Sequence, residues 1–128
     1  TAALARQVGL SAPSTSERLK RLEEMGVIGP ARIEVDPAAL GYGLKAWLRI
    51  RPLPGQLKRV VEIIQGIPEI VECDRVTGDD CFVARAYVRS VLDLEEVIDQ
   101  LNSHATTNTA IIQSSPVDRR LPPLPGEA

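Results

Sequence analysis

Two apolar periods alternate along this chain. Near the N-terminus the spacing is helical. In TAALARQVGL, Leu4, Ala5 and Val8 share one side of a short helix, and Gly9 ends it. A second helix runs to Met25, with Leu19 and Leu22 as its inward stripe and Gly26 as its stop. Its cap is either Ser11, with Pro13 in the first turn, or Ser14, in the capping-box pattern Ser14-x-x-Glu17. Ser16, close before Leu19, points inward with the stripe, and Val27 and Ile28 return to the core. RIEVDPAALGYGL then reads as a short strand and a turn-rich connection, with Asp36-Pro37 and the Gly41-Tyr42-Gly43 cluster marking a boundary.

Beyond that boundary the period alternates between two and 3.6. KAWLRIR is a strand with Ala46, Leu48 and Ile50 on one side. Residues 54–66 form a helix, because Leu57, Val60, Val61 and Ile64 fall at i, i+3, i+4 and i+7. EIVECDRV and CFVARAYV are strands joined by TGDD, a hairpin-like turn around Gly78. Residues 91–103 form another helix on Leu94, Val97, Ile98 and Leu101, with Ser90 as its cap. NTAIIQS is the last strand, and PVDRRLPPLPGEA is a proline-rich tail.

The fold class that follows is α+β. A partial winged helix-turn-helix lobe spans residues 1–30, and a strand and linker span 31–43. A ferredoxin-like βαββαβ sandwich spans 44–116, and the tail spans 117–128. Such a sheet carries both helices on one face. With Ala46, Leu48, Phe82, Ala84, Ala86 and either Ile112 or Ala110 toward the helices, the opposite face receives Trp47, Val83, Tyr87 and Ile111. An apolar patch there predicts a homodimer with sheets packed face to face. A slip of one residue would exchange the two faces.

The first lobe has the chemistry of a DNA reader. A recognition helix enters the major groove with its N-terminal end, where small hydroxyls fit and bulky groups clash. Ser11, Ser14 and Thr15 stand at that start, and Arg18 and Arg21 follow along the helix to hold phosphates or read guanine. The same basic residues beside Glu17, Glu23 and Glu24 also fit an ordinary solvated face. Charge distribution adds modest support. The chain has net charge -2, yet residues 1–32 carry a net +2 and residues 33–128 a net -4.

Composition narrows the alternatives. No apolar run approaches the ~18 residues of a membrane span, and no signal peptide is visible. Two cysteines, Cys73 and Cys81, are too few for a disulfide framework, and a cytoplasmic setting would keep them reduced as small buried or interface residues. His104 is the sole histidine and follows a helix end, so a metal site is not expected. Four aromatic residues are few for single-strand binding by stacking. There is no nucleophile–base pair, so no catalytic residue and no cofactor is expected.

With both lobes laid out, the chain resembles the leucine-responsive/asparagine-responsive (Lrp/AsnC, feast/famine) regulators. The stretches that carry this are LARQVGLSAPSTSERLKRLEEMGVI, DPAALGYGLKAWLRI and IPEIVECDRVTGDDCFVARAYV. The resemblance implies transcriptional regulation, double-stranded DNA as partner, and dimers that assemble further. It also implies an amino-acid effector bound in the second lobe near subunit interfaces. The turn Val76, Thr77, Gly78, Asp79 and Asp80 is then the effector loop. An amino acid needs an anionic partner for its ammonium group and N–H donors for its carboxylate. The family loop reads Gly-x-x-Asp before an aromatic residue, and Cys81 stands in that aspartate's place, which leaves open whether Asp79, Asp80 or neither supplies the carboxylate, and with it the class of effector. The family also has a helix upstream of the motif, whereas this sequence begins inside it. The competing expectation is therefore a stand-alone effector-binding and assembly module that does not bind DNA.

Overall fold

The structure, a computed structural model, describes residues 12–126. The first helix of the motif and Ser11 lie outside the described residues. The chain divides between Val35 and Asp36 into two compact units.

In the first unit, helix α1 spans Ala12–Glu24. It already contains Ser14, so the capping-box reading at that residue does not hold. Thr15 is buried, with 4% of its surface exposed, and Leu19 and Leu22 are half-buried. These three fall at i, i+4 and i+7, one face of the helix. Ser16 is exposed. The expected orientations of Thr15 and Ser16 are therefore exchanged: the stripe continues four residues back from Leu19, not three. The helix ends as predicted at Gly26, which takes φ +76°. Gly26 N–H donates to Glu23 O at 3.0 Å and Val27 N–H to Leu22 O at 2.9 Å, the paired bonds that close a helix on a left-handed residue. Of the next two residues only Ile28 turns back toward the interior; Val27 is 63% exposed.

No strand forms over residues 31–35, and Ile33 is 90% exposed. An extended segment needs a neighbour to take its backbone bonds, and none is paired here. Instead, a short 3-10 turn forms at Pro37–Leu40. The Asp36 carboxylate accepts from Ala38 N–H at 3.0 Å, and Gly41 closes the turn at φ +94°.

The second unit has the predicted element order. Strand β1 is Leu44–Pro52, helix α2 Leu57–Gln65, β2 Ile70–Arg75, β3 Phe82–Val88, helix α3 Val91–Asn102 and β4 Ala105–Ile111. The sheet order is β2-β3-β1-β4 with every pairing antiparallel. This is the ferredoxin-like arrangement. Ser90 caps α3, its Oγ accepting from Asp93 N–H at 3.2 Å. The core lies between the sheet and the two helices: Ala46, Leu48 and Ile50 from β1; Phe82, Ala84, Ala86 and Val88 from β3; Val60 and Ile64 from α2; Leu94, Val97 and Leu101 from α3.

Strand β4 departs from the expectation. It begins at Ala105, directly after α3, not at Asn108. Its β-branched threonines extend the strand backwards, a signal weaker than the run Ala110-Ile111-Ile112. Register then decides the faces. Ala46 pairs with Ile111 and Leu48 with Thr109, so Ile111 lies on the helix side with the core residues of β1. Trp47 pairs with Ala110, so Ala110 occupies the outer-face position that Ile111 was expected to hold. This is the one-residue slip that exchanges faces, confined to one strand.

Candidate functional site

Helix α1 presents Ser14, Arg18 and Arg21 as exposed residues at i, i+4 and i+7. They form one continuous face, while Thr15, Leu19 and Leu22 form the buried one. Thr15 leaves the set of DNA-contact candidates, because its Oγ1 is enclosed. Ser16 is a surface hydroxyl that the sequence reading set aside, and the signal that would have found it is the four-residue spacing of Thr15 from Leu19. Ser11 lies outside the described residues.

The turn between β2 and β3 forms a second candidate site. Val76 N–H donates to Cys81 O at 2.8 Å, closing the loop, and Gly78 sits at φ +111°. Residues 76–79 are exposed, while Asp80 and Cys81 are half-buried above the core residue Phe82. Both carboxylates face a residue that the sequence reading missed. Arg51, at the end of β1, donates from Nε to Asp79 O at 3.1 Å. Its Nη2 lies 3.4 Å from the Asp79 carboxylate, and its Nε lies 3.7 Å from Asp80 Oδ1. Pairing of Ile50 with Phe82 brings Arg51 beside the turn. Writing out the β1–β3 register would have revealed it. Cys81 packs against the core, whereas Cys73 is exposed on edge strand β2.

The outer face of the sheet is the third. Trp47 is 42% exposed, and the Arg85 guanidinium stacks over its ring at 5.5 Å. Val83 and Tyr87 are half-buried on the same face. Trp47, Arg49, Val83, Asn108 and Ala110 line a shallow concavity of about 550 Å³. His104 has a structural place instead: its Nδ1 lies 2.9 Å from Gln56 Oε1, and its carbonyl accepts from Leu53 N–H.

Comparison with known proteins matches this division. Residues 1–28 fit the winged helix-turn-helix DNA-binding model, and residues 45–122 fit the Lrp/AsnC ligand binding domain. The chain belongs to the Lrp/AsnC family. Among Lrp/AsnC relatives, the HTH-type transcriptional regulator LrpC of Bacillus subtilis is 31% identical over 111 residues, covering 87% of this chain and 77% of that protein. LrpA of Mycobacterium tuberculosis is 31% identical, covering 91% and 81%. Among solved Lrp/AsnC structures, that of B. subtilis LrpC superposes with TM-score 0.82 at 30% identity, covering 92% of this chain and 84% of that one. A feast or famine regulatory protein of M. tuberculosis, complexed with L-methionine, superposes with TM-score 0.81 at 29% identity, covering 94% and 85%.

Proposed function

We propose that the chain is a sequence-specific, DNA-binding transcriptional regulator whose second unit senses a small molecule, an amino acid. The observation that carries this is the pairing, on one chain, of a helix-turn-helix match with an Lrp/AsnC ligand-binding fold. The relatives named as HTH-type transcriptional regulators support the first half, and the methionine complex of a relative supports the second. Contact with DNA falls to Ser14, Arg18 and Arg21, with Ser16 beside them. Effector contact falls to the turn at residues 76–80. The apolar outer sheet face, with Trp47, Val83, Tyr87 and Ala110, pairs with a second copy. A cytoplasmic location fits a DNA-binding protein whose relatives include bacterial and archaeal regulators; among the described residues no helix is long and apolar enough to cross a membrane.

Selection from a random DNA library, followed by titration of the recovered sequences, tests the reading. A site with approximate two-fold symmetry is expected, because a dimer presents paired recognition helices. Affinity that does not distinguish recovered from random duplexes would reject sequence-specific regulation.

A further inference from the structure

The segment after β4 has a chemistry that neither DNA contact nor effector binding uses. Residues 119–125 read Arg-Arg-Leu-Pro-Pro-Leu-Pro, and every residue from Leu121 to Pro125 is a proline or precedes one. Proline fixes its own φ and pushes the residue before it out of the helical region toward extended backbone. The stretch is thereby held to polyproline II geometry. Residues 112–124 form neither helix nor strand, and a turn follows at Gly126, φ +89°. Residues 119–126 are all exposed, with Leu121 at 81% and Leu124 at 58%.

Polyproline II repeats every three residues. Pro122 and Pro125 therefore share one edge, with Arg119 in line one turn ahead, and Leu121 and Leu124 share the next edge. Two Leu-Pro pairs thus stand about 9 Å apart on one side of the segment. Arg120 and Pro123 fall on the third edge. A plain proline-rich spacer has no use for two leucines held out in water.

We propose that residues 119–125 are a docking segment for a separate protein that presents an aromatic-lined groove with carboxylates at one end. The Leu-Pro pairs fill the spaces between the rings, and Arg119 pairs with the acids. Because the prolines order the segment beforehand, little freedom is lost on binding. The chain's own aromatic residues point to a separate protein as the partner. Phe82 is buried in the core. Trp47 lies under Arg85, Tyr42 lies under Arg89, and Tyr87 stands opposite Lys45. Each exposed ring already has a cation beside it, which repels Arg119 and Arg120. A second copy brings the same rings with the same cations.

The probe is a purified SH3 domain that carries carboxylates beside its aromatic groove, titrated calorimetrically into the full chain. Saturable binding at one site per chain is expected. Replacing both Pro122→Ala and Pro125→Ala should weaken it at least about tenfold, and Pro123→Ala should weaken it less. Arg119→Ala should weaken binding to the unmodified probe but not to a probe whose carboxylates are changed to amides. Circular dichroism verifies that each variant is folded. The absence of saturable binding would overturn the proposal. So would a loss from Pro123→Ala as large as that from the paired proline variant, because the binding edge would then be undefined. With no probe present, a shift in thermal unfolding or in light-scattering mass caused by the paired proline variant would show that the segment packs on its own chain or on a second copy, which also overturns it. None of these readouts depends on DNA or on an effector.

Discussion

Thr15 carries a hydroxyl into the interior of the first unit, where its Oγ1 has no hydrogen-bond partner among the described residues. Valine has the same branched shape without the polar atom, and burying an unsatisfied hydroxyl costs about 1–3 kcal/mol. Thr15→Val should therefore raise the midpoint of thermal unfolding and leave DNA affinity unchanged; a loss of DNA affinity would return Thr15 to the contact face. Arg21 has the opposite profile. It is exposed in the last turn of α1, where its charge also complements the helix dipole. Arg21→Ala should cost about 1–3 kcal/mol of DNA affinity if the guanidinium reads a base. If it holds phosphate, the loss should be uniform across sequences and the salt dependence shallower. Filter or fluorescence titrations at several salt concentrations distinguish these cases, and undiminished affinity would remove Arg21 from the site.

Where the second unit begins, the side chain of Arg89 meets the connection from Asp36 to Tyr42. The Arg89 guanidinium stacks on the Tyr42 ring at 4.5 Å and crosses directly over Gly41. A Cβ at residue 41 would overlap Arg89 Nη1, and the backbone there is left-handed at φ +94°. Gly41→Ala should thus cost about 1–2 kcal/mol for the backbone alone. Displacing Arg89 from Tyr42 adds about 0.5–1 kcal/mol for an exposed cation–π contact. Arg89→Ala should lose only that smaller amount. In a double-mutant cycle read by denaturant unfolding, the two changes should couple by the cation–π contribution. Strict additivity would mean that Arg89 does not hold the turn. The elements themselves were legible in the sequence, because α2, α3, β1 and β3 each bury one face and so write their period into residue type. The start and register of β4 were not, because Thr107 and Thr109 lie on its inner face without being apolar. The strand over 31–35 failed for another reason: β-propensity in Ile33 and Val35 supplies no partner. Arg51 escaped because its contact with Asp79 spans 28 residues, a distance that no local pattern encodes.

At the scale of the whole molecule, the outer sheet face combines an aromatic patch with an excess of positive charge. Lys45, Arg49 and Arg85 surround Trp47, Val83 and Tyr87, while Glu72 and Asp74 lie at the β2 edge of the same face. Arg85 Nε is already shielded from solvent without an acceptor. Two copies packed face to face would gain apolar burial around Trp47 and Tyr87, about 25 cal/mol for each Å² removed from water. They would also have to bring the acidic edge within reach of the arginines, because an uncompensated buried charge costs about 3–5 kcal/mol. The charge pattern determines which substitution tests this most sharply. A glutamate at 87 would find Lys45 directly opposite and Arg85 along the same strand, and so could be neutralised. A lysine at 87 would stand directly opposite Lys45, like charge against like. Tyr87→Lys should therefore separate the copies, whereas Tyr87→Phe should leave them paired. Light scattering of the full chain at micromolar concentration reads the result, with circular dichroism to verify that each variant is folded. The unmodified chain should be dimeric or larger, and Tyr87→Lys should shift it toward monomer, less so at high salt, where like-charge repulsion is screened. An unmodified chain that is monomeric, or a Tyr87→Lys variant that assembles as well as the original, would show that this face is not where copies meet.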